Sequence, residues 1–573
     1  MHWAKTSIII FLILLFFSLS FIVSNDFDQD LGRHIKIGEI IVNTHTIPDT
    51  NLFSYTNATF PFSNHHWLAE VIYFIVNLSF GSLGLQILKT LCFMLAFGIV
   101  IGYAIKKYHI IPASIVAVFI SPLVLERSTI RPEMFGYLFF SITLVLLLIY
   151  PKTKKWLILL PFILCLWVNI HISFIFGVFL AGLIFLKEWH LYAHNQSSKK
   201  TFISTSIIIG VSFLCLFINP HGIYGALYPL FIFQNYGYMI VENQNILYLL
   251  EMIFDPLLKY FMWFSPCVII TILFLYKKKQ WIELILLSTF FLLSMYQIRH
   301  IPFFVLTAFS IVPSVLFFFY EKLPTTKPVK IFSYILTILF VGGIMLFFLT
   351  NQFNTIYDRN QPIGSTLRES YKGATDFVLT HNLPSPIFNN FDIGGYLIYR
   401  LYPKYTMFVD NRPEAYPKEF FEKTYIPLEL YPEILKPTFD KYNIQTVIVN
   451  HTDMTDWGKV FMSQMINNTS WNVVYFDTTS LILSKKSSLK DIRHDTNYIR
   501  SIIKNEIRST SLIQFAMFLD TLNETQLSTE AFEKAQKLNP QSCSIKKSIY
   551  NQYINDGKTI DAGIIKIDSW YCF

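Results

Sequence analysis

Charge is scarce in this sequence: Asp, Glu, Lys and Arg make up 15% of 573 residues, while 53% are hydrophobic and 17% aromatic. So few charged residues do not coat a soluble globule of this length, which excludes an ordinary soluble enzyme and points to a polytopic membrane protein. Cysteine is sparse as well. Six are present without any CxxC pair or His/Cys cluster, so the spacing of a structural zinc site is missing. Cys92, Cys165, Cys215 and Cys267 fall in apolar runs, where a thiol serves as a small hydrophobe. Cys543 and Cys572, in the polar C-terminal part, remain as the pair expected to form a disulfide in an oxidising compartment. No internal repeat is found, and the signature of transporters built from two corresponding halves is therefore absent. Gly394-Gly395 lacks the surrounding spacing of a phosphate-binding loop and reads as a tight backbone position.

The net charge of +8 implies no nucleic-acid surface, because much of the excess lies in short loops at Lys106-Lys107, Lys152 to Lys155, Lys199-Lys200 and Lys277 to Lys279. There it sets membrane orientation. Apolar runs at 5–24, 84–105, 109–126, 134–150, 156–169, 171–186, 202–218, 258–276, 280–297, 301–320 and 331–350 give eleven expected crossings. About twenty such residues cross a hydrocarbon core of roughly 30 Å. The first run is too long for a removed signal peptide and has no small-residue cleavage site, so it is expected to stay as a signal anchor. With Lys5 in the cytoplasm, every Lys-rich loop falls on that side, Lys322 to Lys330 included. The loop 25–83, the tract 219–257 and all that follows Asn351 are then extracytoplasmic.

This predicts a transmembrane domain over 1–351, an extracytoplasmic α/β domain over 352–490 and a helical region over 491–573. In the first loop, His66 to Val76 reads as an apolar helix that ends before Gly81, with Trp67 and Tyr73 at headgroup depth. Thr446 to Val449, Val473 to Phe476 and Leu481 to Leu483 read as strands, alternating with helical patterns at Glu419 to Tyr425 and Trp457 to Ile466. Thr529 to Pro540 resembles the second helix of a tetratricopeptide repeat. One repeat cannot bury its own face, so it is expected to dock on the α/β domain, leaving a surface for a protein partner.

Polar residues gather near the outer ends of the spans: Asp28, Asp30 and His34; His65 and His66; Arg127, Arg131 and Glu133; Asn169 and His171; Asn219 and His221; Glu242; Arg299 and His300. Taken singly, an Arg or His at a helix end snorkels to headgroups, and Asp28 or Asp30 caps the next helix. Charged groups at membrane depth cost about 2.5–3.5 kcal/mol each, so gathering them at one leaflet points to a function. The basic members suit a lipid phosphate, which Arg holds through two parallel hydrogen bonds, and the acidic members suit a general base. Asp28, Asp30 and Glu133 also offer oxygen ligands to a divalent cation, although no dedicated metal cage is visible and no other cofactor is implied. Asp410 and Arg412 follow an apparent strand at Thr406 to Val409, where loops commonly bind ligands. The alternative there is a turn held by a local Asp410–Arg412 or Arg412–Glu414 pair.

Asp28-Gln29-Asp30 after the first span, Pro48, and then His65-His66-Trp67-Leu68 leading through Phe80-Gly81 into Leu85 to Leu91 resemble the first-loop pattern of the GT-C membrane glycosyltransferases. Among these are protein mannosyltransferases and aminoarabinose transferases. The chain is most similar to a bacterial group of GT-C-like proteins, through Asp28 to His34, Pro48 to Tyr55, Arg131 to Phe135, Trp167 to His171, Asn219 to Gly222, Gly394 to Leu397 and Asp410 to Glu414. The resemblance implies a polytopic α-helical enzyme of the bacterial inner membrane that takes sugar from a polyprenyl-phosphate carrier and passes it to an extracytoplasmic glycan, lipid or protein with inversion. It also implies that a first-loop aspartate is the base. Counting back from Pro48 aligns Asp28 with that aspartate, but Gln29 stands where many members carry Glu, so Asp30 stays open. The rival readings are a lipid or polysaccharide transporter and a non-catalytic scaffold of cell-envelope glycan assembly.

Overall fold

The computed structural model describes every residue except 1, 23–26, 233–235, 253–255, 325, 351, 357–366, 454, 487, 556–558, 569–571 and 573. Asn25 and Asp26, next to the acidic motif, and Trp570, Tyr571 and Phe573 of the tail lie outside the described residues. Among the described residues, seven helices are long and apolar enough to cross a membrane: His2–Phe21, Trp67–Tyr108, Phe174–Ala193, Lys199–Phe217, Pro256–Lys277, Ile298–Tyr320 and Lys327–Leu349. The other four runs fall on shorter apolar helices, Ile110–Leu125, Glu133–Ile149 and Trp281–Tyr296, and Leu160–Ile170. Length alone therefore supports seven of the eleven crossings.

The helix beginning at Trp67 breaks at Gly81, as expected from the sequence: Gly81 has a non-helical φ of 59° and ψ of −156°, which suit a residue without Cβ, and a second helix continues from there to Tyr108. Tyr73 does not face headgroups. Trp67 Nε1 donates to Asn169 Oδ1 at 2.9 Å, and Tyr73 is buried against His34 and Phe135. The ring that a membrane-surface reading turns outward instead fills the gap between the helix Leu31–Thr44 and the bundle.

Beyond the bundle lies a four-stranded sheet, β1 (Ile387–Asn389), β2 (Thr446–Asn450), β3 (Asn472–Phe476) and β4 (Ser480–Ser484), in the order β1-β2-β4-β3. β1 pairs parallel to β2, and the other two pairings are antiparallel. Side chains alternate across a strand. Val447, Val449, Leu481 and Leu483 therefore enter one core, with Phe515, Phe518 and other residues of the C-terminal helices. Ile448 and Ile482 enter the opposite core, with Ile37, Ile41 and Phe53 of the first loop region. The helix Thr525–Leu538 packs against Ser509–Thr521, and both contribute to the first of these cores. Cys543 and Cys572 are joined by a disulfide, Cα to Cα 5.1 Å.

Thr406 to Val409 is not a ladder strand. Met407 forms an isolated bridge with Ser54 of the first loop, while the Asn389 side chain accepts from Phe408 N at 3.0 Å and donates to Val409 O at 2.7 Å. A side-chain amide thus satisfies backbone groups that a neighbouring strand would otherwise pair. Close by, Arg412 is buried and donates to Asp410 Oδ1 at 2.7 Å and Oδ2 at 2.8 Å, and to Asn51 Oδ1 at 2.6 Å. Its guanidinium lies over Phe53 and Phe62, 5.1 and 4.7 Å from the ring centroids. Asp410 and Arg412 are therefore a local pair that clamps the first loop to the outer sheet. Removing one partner of such a pair leaves a buried charge, so Arg412→Ala is expected to cost about 3–5 kcal/mol. Thermal unfolding and protease resistance of the purified protein measure this loss, and the double variant Asp410→Asn/Arg412→Met recovers part of it.

Candidate active site

The first-loop aspartates sit at the start of the helix Leu31–Thr44, but Asp30 makes no side-chain cap to it. Both carboxylates turn to arginines instead. Arg131 donates through Nε to Asp28 Oδ1 at 2.9 Å and through Nη1 to Glu242 Oε1 at 2.5 Å, and its Nη1 stands 3.4 Å from Asp30 Oδ2. Arg33 donates from Nε and Nη2 to Asp30 Oδ1 at 3.3 and 2.9 Å. Asn411 of the outer region adds a third bond to that oxygen at 2.6 Å. Arg127 pairs with Glu133 at 2.5 Å and also with Glu242. Arg299 is the most open of these cations. It donates to Asn243 Oδ1 at 2.9 Å and stays 3.9 Å from Glu133.

Burial pushes the Asp28 carboxyl above its usual range, with Arg131 opposing and Asp30 adding to the rise. Against the same upward push of burial, Arg127 and Arg131 hold Glu242 well below.

Histidines form the adjoining wall. His34 Nδ1 is 2.9 Å from Glu70 Oε1, and Asn64 Nδ2 donates to Glu70 Oε2 at 2.6 Å. His65 Nδ1 faces Ser63 O at 3.2 Å and His66 Nδ1 faces Ile170 O at 3.1 Å. A carbonyl only accepts, so Nδ1 carries the hydrogen in both rings and Nε2 keeps its lone pair. Burial lowers His34 and His66 well below the ordinary histidine value and His65 to about 4, so these rings are neutral at pH 7.

These groups enclose a cavity of about 330 Å³. Asp30, His34, His65, His66, Arg131, Glu133, His171, Glu242 and Arg299 line it, whereas Asp28 stands behind them on Arg131. The remaining sequence candidates lie elsewhere. Arg127 supports the wall from behind, and Asn169 ties Trp67 to the carbonyls of Cys165 and Ile218. Asn219 closes its own turn. His300 Nδ1 meets Leu293 O and its ring packs on Phe176. His221 lines a neighbouring cavity, and Asp410 and Arg412 are enclosed in the clamp.

The roof comes from the outer region through Asp392, Asn411 and Glu414. Sequence reading misses Asp392, Asn64 and Glu70 as site residues. No local spacing joins them to the first loop; the only sign of Glu70 is a lone acid on an apolar helix, and it is fully enclosed. Among the described residues no group of three His, Cys, Asp or Glu is arranged to hold a metal ion. Arginines stand between the carboxylates that would have to converge.

Burial, reinforced by Asp453 and Asp30, raises Asp392 to about 7. The folded state therefore binds a proton that the unfolded chain releases above its ordinary carboxyl value, and stability is lost as pH rises through about 7. Asp392→Asn is expected to unfold at a higher temperature than wild type at pH 8 and at the same temperature at pH 4, in matched thermal scans.

No family model matches the chain, and no curated protein matches it by sequence. The fold is similar to that of the archaeal oligosaccharyltransferase AglB from Archaeoglobus fulgidus, solved with an inhibitory peptide and a dolichol-phosphate. The TM-score is 0.51 at 11% identity, over 97% of this chain and 86% of that chain. A second structure of the Archaeoglobus fulgidus oligosaccharyltransferase, with zinc and sulfate, gives a TM-score of 0.51 at 11% identity, over 95% of this chain and 85% of that chain.

Proposed function

We propose that the chain is a GT-C membrane glycosyltransferase that moves a sugar from a polyprenyl-phosphate donor to an acceptor, with inversion at the anomeric carbon. The observation that carries this reading is the meeting of a cavity-lining aspartate, Asp30, with the open guanidinium of Arg299 across one enclosed space. In a single displacement the acceptor oxygen bonds to C1, the C1–O bond to phosphate breaks, and its electrons pass to the phosphate. The acceptor proton moves to a carboxylate. Asp30 is better placed for this than Asp28, because it lines the cavity while Asp28 stands behind on Arg131. Asp28 then acts through Arg131, holding it in register. Arg299 stabilises the charge that develops on the leaving phosphate.

The same reading sets the cavity at the extracytoplasmic face of a bacterial inner membrane, with the N-terminus in the cytoplasm, as the Lys-rich loops require. A labelled polyprenyl-phosphate sugar panel, incubated with membranes that carry the protein, tests the chemistry. Asp30→Asn is expected to lower sugar release by about 10²–10⁴-fold with insertion unchanged. Asp28→Asn is expected to lower it less. Full activity in the double variant would overturn the assignment and favour a transporter or scaffold.

A further inference from the structure

Beside the main cavity lies a second, of about 380 Å³, between the first loop and the segment after the helix Lys199–Leu214. Phe60, Tyr224, Tyr228 and Phe231 supply rings to its wall, and Asp49 and Glu414 supply carboxyls. Glu414 and Ile232 line both spaces, so the two cavities share a wall.

The rings are not merely an anchor in lipid headgroups, since Tyr228 is buried and its ring lies 5.0 Å from His65 of the main site. Neither carboxyl is ion-paired among the described residues, in contrast to the paired acids of the main floor. Burial raises Glu414, which favours a protonated, donating form at the shared wall. An anion gains nothing from two acids and no free cation. A ligand with a ring-shaped apolar face and several hydroxyls gains both stacking area and hydrogen bonds to carboxyl oxygens.

We propose that this aromatic, acid-edged cavity binds a pyranose ring, adjacent to the phosphate end of the main cavity. The inference rests on the glycosyltransferase reading for its role, but the binding itself does not. The ring can belong to the donor or to a glycan acceptor, and the two sources predict different competition.

Saturation-transfer NMR on the full-length protein in nanodiscs, with methyl pyranosides of glucose, mannose, galactose and N-acetylglucosamine, reads the binding. At least one is expected to bind saturably, and Asp49→Asn and Phe231→Ala are each expected to weaken it about tenfold. Both positions are exposed at the cavity mouth, so folding does not depend on them. Arg299→Gln leaves the pyranoside unaffected. A glycosyl 1-phosphate that competes with the methyl pyranoside and is weakened by Arg299→Gln assigns the cavity to the donor sugar, and one that binds together with the pyranoside assigns it to an acceptor sugar. Pyranoside binding without any glycosyl phosphate binding leaves the cavity standing and removes the donor reading. No saturable binding of any pyranoside, or binding indifferent to both cavity variants, would overturn the proposal.

Discussion

The whole site depends on one guanidinium. Arg131 holds Asp28 and Asp30 of the first loop and Glu242 of a distant loop, and no other described side chain reaches all three. Taking an ion out of water costs several kcal/mol even after relaxation, so a buried charge survives only with matched partners around it. Here four arginines, Arg33, Arg127, Arg131 and Arg299, face four acids, Asp28, Asp30, Glu133 and Glu242. The charges balance, and the balance is what permits helix ends from separate spans to meet.

The pairing also divides the arginines by role. Arg131 is engaged through Nε by Asp28 and through Nη1 by Glu242, and so joins two loops. Arg299, with 21% of its side chain exposed and a neutral amide as its nearest partner, can turn to an incoming anion at little cost. Above this floor, Asp392 and Glu414 come from the outer region and make no ion pair among the described residues. A phosphate is thus drawn to the floor and away from the roof, and an uncharged hydroxyl meets the opposite preference. Glycine makes the meeting of roof and floor possible: a Cβ on Gly32 would lie 2.8 Å from Gly395 O, so the outer helix Gly394–Leu401 approaches the first loop at backbone contact.

Much of this was legible in the sequence because hydropathy and charge act locally. The apolar runs coincide with helices, and the short strand-forming runs Thr446 to Val449 and Leu481 to Leu483 coincide with strands buried on both faces. What escaped was set by distance along the chain. β1 is three residues long and carries too short a pattern to read. Thr406 to Val409 has strand composition, yet its backbone is satisfied by Asn389 and by the first loop around Ser54, far away along the chain. The local Asp410–Arg412 pair was legible as a turn, but its third partner, Asn51, lies 361 residues away along the chain. His34 gains its partner from Glu70, 36 residues away, which no local motif announces.

Native mass spectrometry of the protein released from nanodiscs made with total bacterial lipid reads the donor site most directly. The retained lipid is expected to include a polyprenyl phosphate or its sugar conjugate, held by wild type and lost in Arg299→Gln, while Arg500→Gln, exposed on the helix Thr496–Asn505 and outside the cavity lining, keeps it. Retention of ordinary phospholipids alone, equal in wild type and Arg299→Gln, would contradict a phosphate-binding active site at this cavity.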